Sequence, residues 1–334
     1  MTTAPAASSS AQRDLGLVVA GTAMNAGAVA QLVAQPLAKW DRRAPSILML
    51  GTVNSPHVEH LAVAMRDRGH RVVVGGEVAP EYPPSTLPAS GVDVRPLEHP
   101  AALWLWRLAR EVRPAVVHAH WLPASPFHAA LLRLRPLIAM AWGSDVFKAN
   151  RAATLRSRYA LRHADLAMAD SLALLLGMQD LGAQPAASYL LNWGVDLKRF
   201  APPASREAER QALGLGPGPV VLSPRALAPN YNPRVILDAF ESVRRNVPDA
   251  QLILKHLGTG QPDVGRPLPE GTVVIGHVPY DELARYYRAA DVCVSIPASD
   301  SSPRSVWEAM ACGCACVLSD LPWVHELIVS GRHA

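Results

Sequence analysis

Short, near-continuous apolar runs alternate with stretches of helical spacing along this chain, and that alternation constrains the fold more than any single motif. Ile47–Leu50, Arg71–Val74, Val92–Arg95, Ala115–His120, Leu137–Trp142, Leu166–Ala169 and Ser188–Leu191 read as strands of a first half. Val220–Ser223, Gln251–Leu257, Thr272–Ile275 and Asp291–Pro297 read as strands of a second. Strands that lack a polar face must be covered on both sides, which predicts parallel sheets flanked by helices. Asn192 to Phe200 has no periodicity and runs into Ala201-Pro-Pro, so the boundary falls there. The expected layout is an extension over 1–45, a first α/β domain over 46–195 and a second over 196–334. Two such domains joined by a hinge place a ligand cleft between the carboxyl ends of their sheets.

Charge is unevenly spread but weak. Ser46 to Phe200 carries 16 Lys+Arg against 12 Asp+Glu, and Ala201 to Ala334 carries 12 against 14, within a formal net charge of +4. This does not support nucleic-acid binding. It leaves open an anionic substrate or membrane surface on the first half, or simply a solvated face. The Trp104, Trp106, Arg107, Arg110, Arg113 face of a helix over Pro100–Arg113 has the same two readings, a membrane-surface contact or a core helix with a solvated basic side. The four cysteines, Cys293, Cys312, Cys314 and Cys316, lie too close along the chain for sensible disulfides, which suggests a reducing compartment and a small-residue core. A zinc site would need a further ligand such as His325. Residues 1–45 read as a disordered or weakly helical extension, or as an export or membrane signal. A cytoplasmic protein, peripheral at the membrane if the basic face is used, is the expectation.

Chemistry concentrates after strands. Asn54 and His57, His118 and His120, Ser144 and Asp145, Arg225 and Asp300 all follow predicted strands. In an open α/β sheet that edge is the binding edge. The stretch from Asp300 to Gly313 reads as loop and helix, with Ser302 as N-cap, Pro303 in first helical position and Gly313 as terminator. Asp300 then waits in the loop while Glu308 sits about one and a half turns into the helix. The helix N-terminus, with the amides near Ser305 and Val306, suits a phosphate; an ordinary capped helix is the plainer reading. No Gly-x-Gly-x-x-Gly follows the first strand of either half, and there is no Walker sequence, nucleophile elbow or Asp-x-Asp pair. An anion site with Arg225 beside two carboxylates describes a sugar nucleotide.

The same stretch is similar to the Glu-x7-Glu element of the retaining GT-B-fold glycosyltransferases of family 4. Glu308-Ala-Met-Ala-Cys-Gly313, Asn192-Trp-Gly-Val-Asp196 with Phe200, Ser223-Pro-Arg225, Gly51 through Gly69-His70, and His118-Ala-His120 with Trp142-Gly-Ser-Asp145 carry the resemblance. It implies two Rossmann-like domains facing a cleft and a metal-independent transfer of sugar, with retention, from a UDP- or GDP-linked donor to a saccharide, lipid or other hydroxyl acceptor. No cofactor, metal or nucleic acid is implied. Glu308 would hold the ribose hydroxyls and Asp300 the donor sugar. Arg225, with the amides of Ser305 and Val306, would neutralise the diphosphate, and the chain at Gly276–Val278 would border the base. Gly51, Asn54, His57, His118 and Asp145 would face the acceptor.

Departures from the pattern are visible. Asp300 replaces the usual Glu. Asn230 and Asn232 occupy the region of a usual Lys, so Arg225 is the one nearby cation the sequence guarantees, with Lys255 as a candidate substitute. Gly143 stands where many members have His, a role that His120 could supply. The chain also stops before the family's final strand and helices, which suggests a truncated second domain. Alternatives are a degenerate member that binds a nucleotide sugar without turnover, and a sugar-nucleotide epimerase. Glu308→Ala is expected to weaken donor binding with the fold intact.

Overall fold

The computed structural model describes residues 45–80, 82–256 and 264–333, which fall within one compact unit. The extension over 1–45, apart from Pro45, lies outside the described residues, as do Leu257 and the Gly258-Thr-Gly260 stretch.

The first sheet contains β1 (Ser46–Leu50), β2 (Arg71–Gly76), β3 (Asp93–Pro96), β4 (Val116–His120), β5 (Leu137–Met140), β6 (Leu166–Ala169) and β7 (Ser188–Leu190), in the order β3-β2-β1-β4-β5-β6-β7. The second contains β8 (Val220–Ser223), β9 (Gln251–Lys255), β10 (Thr272–Ile275), β11 (Val292–Ser295) and β12 (Ala315–Leu318), in the order β10-β9-β8-β11-β12. Every pairing is parallel, as the unbroken apolar runs predict. In both sheets the strand order reverses beside the first strand, between β1 and β4 and between β8 and β11. Loops leaving those strands diverge, and a crevice opens above them.

Helices cover both faces. α1 (Pro56–Asp67), α2 (Ala101–Val112), α3 (Ser125–Leu131), α4 (Ser144–Phe147), α5 (Arg151–His163) and α6 (Leu172–Asp180) belong to the first domain. α7 (Arg206–Ala212), α8 (Pro233–Asn246), α9 (Tyr280–Ala289), α10 (Arg304–Ala311) and α11 (Val324–Leu327) belong to the second. Leu48 and Leu50 on β1 pack with Leu105 and Leu108 of α2 on one face, while Met49 packs with Val58 and Ala62 of α1 on the other. All four cysteines are buried thiols; Cys293, Cys312, Cys314 and Cys316 pack in one core cluster with Tyr287 and Val306.

One helix start differs from expectation. α10 begins at Arg304 with Pro303 as N-cap and no capping side chain. The Ser302 hydroxyl instead accepts from Asn192 Nδ2 (2.5 Å) and Trp307 Nε1 (2.9 Å), so it ties the hinge to the helix. Asn232 precedes α8 in the left-handed region (φ 49°) and sends Nδ2 to the Ile296 carbonyl (2.8 Å) rather than capping. Gly313 does end α10 as expected, at φ 74°, where a glycine pays no Cβ penalty.

Candidate functional site

A cavity of about 880 Å³ runs between the carboxyl ends of the two sheets. It is within the roughly 300–1,000 Å³ of small-molecule sites. The second domain supplies three cations to its lining, Arg225, Lys255 and Arg304, and the carboxylates Asp300 and Glu308.

Arg225 follows β8 and Asp300 follows β11, and because β8 and β11 are neighbours the two side chains meet. Arg225 Nη2 lies 2.8 Å from Asp300 Oδ2, with the two side chains 18% and 13% exposed. Arg225 also donates to Tyr231 Oη (3.1 Å) and Ser305 Oγ (3.3 Å) and lies over the Tyr231 ring. Burial pushes the Asp300 carboxyl up, and the Arg225 charge and the Ser301 amide pull it back. Burial works against the Arg225 charge, but Asp300 and Tyr231 more than offset it, and its pKa rises.

Glu308 is 3% exposed. Tyr280 Oη (2.9 Å) and Arg304 Nε (3.0 Å) donate to its Oε1, and Tyr287 Oη (3.1 Å) donates to Oε2. A carboxylate offers about four lone-pair sites. Three are taken, so Glu308 has room for one further hydroxyl unless a partner turns away. Arg304 lies over the Tyr280 ring. Lys255 is held below its usual pKa by burial, with Arg225 and Arg304 adding to the shift and Glu308 opposing it. The expectation that Arg225 stands alone among nearby cations is therefore corrected: Arg304 lines the same cavity, Lys255 joins it, and Lys148 of the first domain reaches Asn230 Oδ1.

Other expectations for the second domain divide. Val278, Asn230 and Ser305 line the cavity; Gly276 does not. Val306 is buried in the core, and its amide donates to the Pro303 carbonyl (3.0 Å), which removes it as a phosphate donor.

In the first domain Gly51, His57 and His120 line the cavity, whereas Asn54, His118 and Asp145 do not. Asn54 is a loop staple. Its Nδ2 donates to the carbonyls of Ala79 (2.8 Å) and Pro83 (3.1 Å), and its Oδ1 accepts from the Ala79 amide. His118 packs against His120 on the same face of β4 (ring centroids 4.5 Å), and burial pulls its pKa down to about 4. Asp145, 1% exposed, accepts from the amides of Leu122 (3.0 Å) and Trp142 (2.9 Å) and so braces the loops after β4 and β5. Asn54 and Asp145 are polar residues after strands, as the sequence shows, but their polar atoms serve the loops, whereas His118 lies within β4 and its Nε2 is buried without a hydrogen-bond partner.

His120 is fully buried and neutral, its pKa pushed well below the usual range by burial and then by His118 and His57. Trp142 Nε1 donates to His120 Nδ1 (3.1 Å), so the neutral ring carries its proton on Nε2. His57 lies against Trp193 and Trp142, and burial, with Arg304 and Arg225 nearby, lowers its pKa to about 3. A Cβ on Gly51 would stand 3.3 Å from His120 Cβ, which fits a glycine at this close approach. Trp121, directly after β4, adopts φ 68° and is 38% exposed. For a bulky residue this left-handed backbone costs on the order of 1–3 kcal/mol.

Asp170 is the main residue that sequence reading missed. It directly follows β6 and is 5% exposed, yet it borders the cavity. Ser301, the neighbour of Asp300, donates its hydroxyl to Asp170 Oδ1, and Trp193 Nε1 donates to Oδ2 (2.9 Å). Burial raises its pKa to about 7 despite these bonds, with Asp300 adding to the rise. Ser171 Oγ also meets Ser301 Oγ (2.7 Å), and Glu326 accepts from the first amides of α6 at Leu172 and Ala173 (2.7 Å each). Gly143, at φ 108°, leaves only 3.2 Å between a hypothetical Cβ and Ser301 Cβ. The first domain thus grips the Asp300 loop directly. A strand-end Asp and Trp193 were the available signals, but neither names Ser301 as the partner.

Among the described residues no group of three or more His, Cys, Asp or Glu is arranged to hold a metal, and no helix is long and apolar enough to cross a membrane.

Comparison with known proteins agrees with this architecture. The family model described as Glycosyl transferases group 1 matches residues 205–334, and that described as Glycosyl transferase 4-like matches residues 46–173. The chain is 31% identical to D-inositol 3-phosphate glycosyltransferase 2 of Catenulispora acidiphila over 45% of its own length and 39% of that protein. It is 36% identical to the GDP-mannose-dependent alpha-(1-6)-phosphatidylinositol monomannoside mannosyltransferase of Mycolicibacterium smegmatis over 30% of its own length and 28% of that protein. The match thus spans less than half the length of these curated relatives. Anabaena HepE, solved in complex with UDP-glucose, has the same fold: TM-score 0.70 at 20% identity, over 85% of this chain and 83% of that one. With both domains matched in order and two parallel sheets meeting at one cleft, the chain belongs to the GT-B glycosyltransferases of the family 4 kind.

Proposed function

We propose that the protein moves a hexosyl group from a nucleoside diphosphate sugar to a hydroxyl acceptor, with retention at the anomeric carbon and without a metal ion. The observation that carries this reading is the convergence of Arg225, Lys255 and Arg304 with Asp300 and Glu308 in one cavity bordered by both sheets. A departing diphosphate gains negative charge, and fixed cations beside a helix N-terminus are suited to offset it. Ser305 at that N-terminus shares the Arg225 guanidinium. Asp300 would accept from a donor-sugar hydroxyl, Glu308 from one ribose hydroxyl, and Val278 would border the base. His120, neutral with its proton on Nε2, would act as a hydrogen-bond donor to the sugar rather than as a base. The bond from C1 to the diphosphate oxygen breaks, the bond from C1 to the acceptor oxygen forms, and the acceptor proton leaves with the diphosphate.

The UDP-glucose bound to HepE and the GDP-mannose dependence of the Mycolicibacterium smegmatis relative make UDP- and GDP-linked hexoses the first donors to test, with a saccharide or lipid product as the setting. Calorimetry with UDP, GDP, ADP and their hexose conjugates tests the site, and NMR of the product tests retention. Arg225→Ala should lower kcat by about 10²–10³. Arg225→Lys should recover part of this, because a point charge replaces a planar fork. Failure of every nucleotide to bind would overturn the reading. Binding without turnover would favour a degenerate member, and an epimerised nucleotide sugar formed without acceptor would favour an epimerase. The exposed Leu103 and Trp106 of α2 beside Arg107 and Arg110 support a peripheral contact with anionic membrane, which vesicle co-sedimentation tests.

A further inference from the structure

The two walls of the cavity differ in charge. Among the described residues, every arginine and lysine that lines it comes from the second domain. The first-domain wall instead carries Trp104, Trp121, His57, His99 and His128 and two acids, Glu77 and Asp170. His57 is held neutral by its burial. A phosphorylated acceptor on that wall would find no first-domain guanidinium or ammonium among the lining residues, since Lys148 lies outside the lining and is engaged by Asn230 Oδ1, and its charge would lie on the same side as Glu77 and Asp170.

Trp121 adds a second observation. It is a large aromatic side chain, partly exposed, in a backbone region that bulky residues avoid. Three hydrogen bonds hold it there. Its amide donates to the Met140 carbonyl (3.1 Å), the Ala124 amide donates to its carbonyl (3.0 Å), and the next amide, Leu122, donates to Asp145 (3.0 Å). The ring meets Trp142 edge-on, with centroids 6.1 Å apart. The position is over-determined by its surroundings, as strained functional positions are. A partly exposed indole in the lining of a polar cavity suits the C–H face of a pyranose, while Glu77 and the imidazoles suit its hydroxyls.

We infer that the first-domain wall is an acceptor subsite for an uncharged saccharide, with Trp121 as the stacking platform and Asp145 as the positioning residue that holds Trp121 in place. This rests on the transferase reading for the word acceptor, but the saccharide contact itself can be tested without turnover. The probes are methyl α-D-glucoside, methyl α-D-mannoside and maltose, set against glucose 6-phosphate and mannose 6-phosphate. Saturation-transfer NMR reads direct binding, and nucleoside diphosphate release at saturating donor reads acceptor KM.

The expected result is saturation transfer to one or more neutral probes, with kcat/KM at least tenfold above the matching phosphate. Trp121→Ala should abolish that transfer and raise acceptor KM at least tenfold, with donor Kd by calorimetry within twofold of wild type. Trp121→Phe, which keeps a ring, should fall between, and it also guards against a misfolded alanine variant. Preference for the phosphorylated probes, absence of binding by every neutral probe, or an unchanged response in Trp121→Ala and Trp121→Phe would overturn the proposal. If no nucleotide sugar binds while neutral saccharides still do, the transferase reading fails and the saccharide subsite stands.

Discussion

Replacing Glu308 with alanine removes the acceptor on which Arg304, Tyr280 and Tyr287 converge. The sequence alone suggests that this change weakens donor binding and spares the fold, and the structure changes that expectation. Arg304 and Glu308 are 12% and 4% exposed, so the ion pair is largely out of water. Breaking such a pair by deleting one partner costs about 3–5 kcal/mol, because the remaining charge is left buried and unpaired. Tyr287, fully buried, also loses its acceptor, at about 1–3 kcal/mol for an unsatisfied buried group. These losses share one site and do not simply add, so a total of at least about 3 kcal/mol is expected. Glu308→Gln keeps an acceptor oxygen but not the charge, and should cost about 1–2 kcal/mol, the difference between charged and neutral hydrogen bonds. Urea unfolding followed by circular dichroism measures both, and calorimetry with the tightest nucleotide measures binding in parallel. A stability for Glu308→Ala within about 1 kcal/mol of wild type would refute the argument, since an ordinary exposed ion pair is worth no more than that.

Three further outcomes follow from the same geometry. Gly143→Ala should destabilise by about 1–3 kcal/mol, as a strained backbone and an overpacked contact do, because φ is 108° and Ser301 stands 3.2 Å from the new methyl; an unchanged urea midpoint would show that the Asp300 loop is not gripped there. His118 has a folded pKa near 4, below its unfolded value of 6.5, so the stability it supports is present above pH 6.5 and lost as pH falls toward 4. His118→Gln should therefore gain on wild type between pH 6.5 and pH 5, by up to about 1.4 kcal/mol per pH unit, and parallel pH curves would contradict this. Asp170 has the opposite sign: its folded pKa is raised to about 7 from 3.8, so the native state keeps the proton longer and stability falls as pH rises from about 4 to 7. Asp170→Asn should flatten that fall, and an identical slope in the variant would show that the carboxyl titrates normally.

Much of the architecture was legible in the chain. The apolar runs named every strand of the described residues but β12, because a strand buried on both faces has no polar alternation, and β6, β8 and β10 match their predicted limits. Arg225, Asp300 and Glu308 were also legible, because each lies just after a strand or on the helix that follows one. Several helices, α3 and α5 to α7 among them, were not read out, since their amphipathic pattern does not stand apart from the loops around them. The end of α10 was read correctly from Gly313, but its start was not, because Ser302 has a choice of partners and Asn192 and Trp307, one of them far along the chain, took it.

What only the tertiary structure decided are the partners of the polar groups. A sequence states that Asn54 and Asp145 are polar and follow strands; it does not say whether their atoms face a ligand or satisfy the loops, because unpaired buried groups are costly and any nearby amide can claim them. Arg304 carries no signal in the sequence beyond its place next to Pro303, yet its side chain lines the cavity and donates to Glu308. Asp170 and Ser301 lie more than a hundred residues apart and belong to different domains. Their contact exists only because the hinge at Asn192 and Trp193 brings one sheet's edge against the other's. Local chemistry is written along the chain, whereas pairing across a cleft depends on how two finished domains meet.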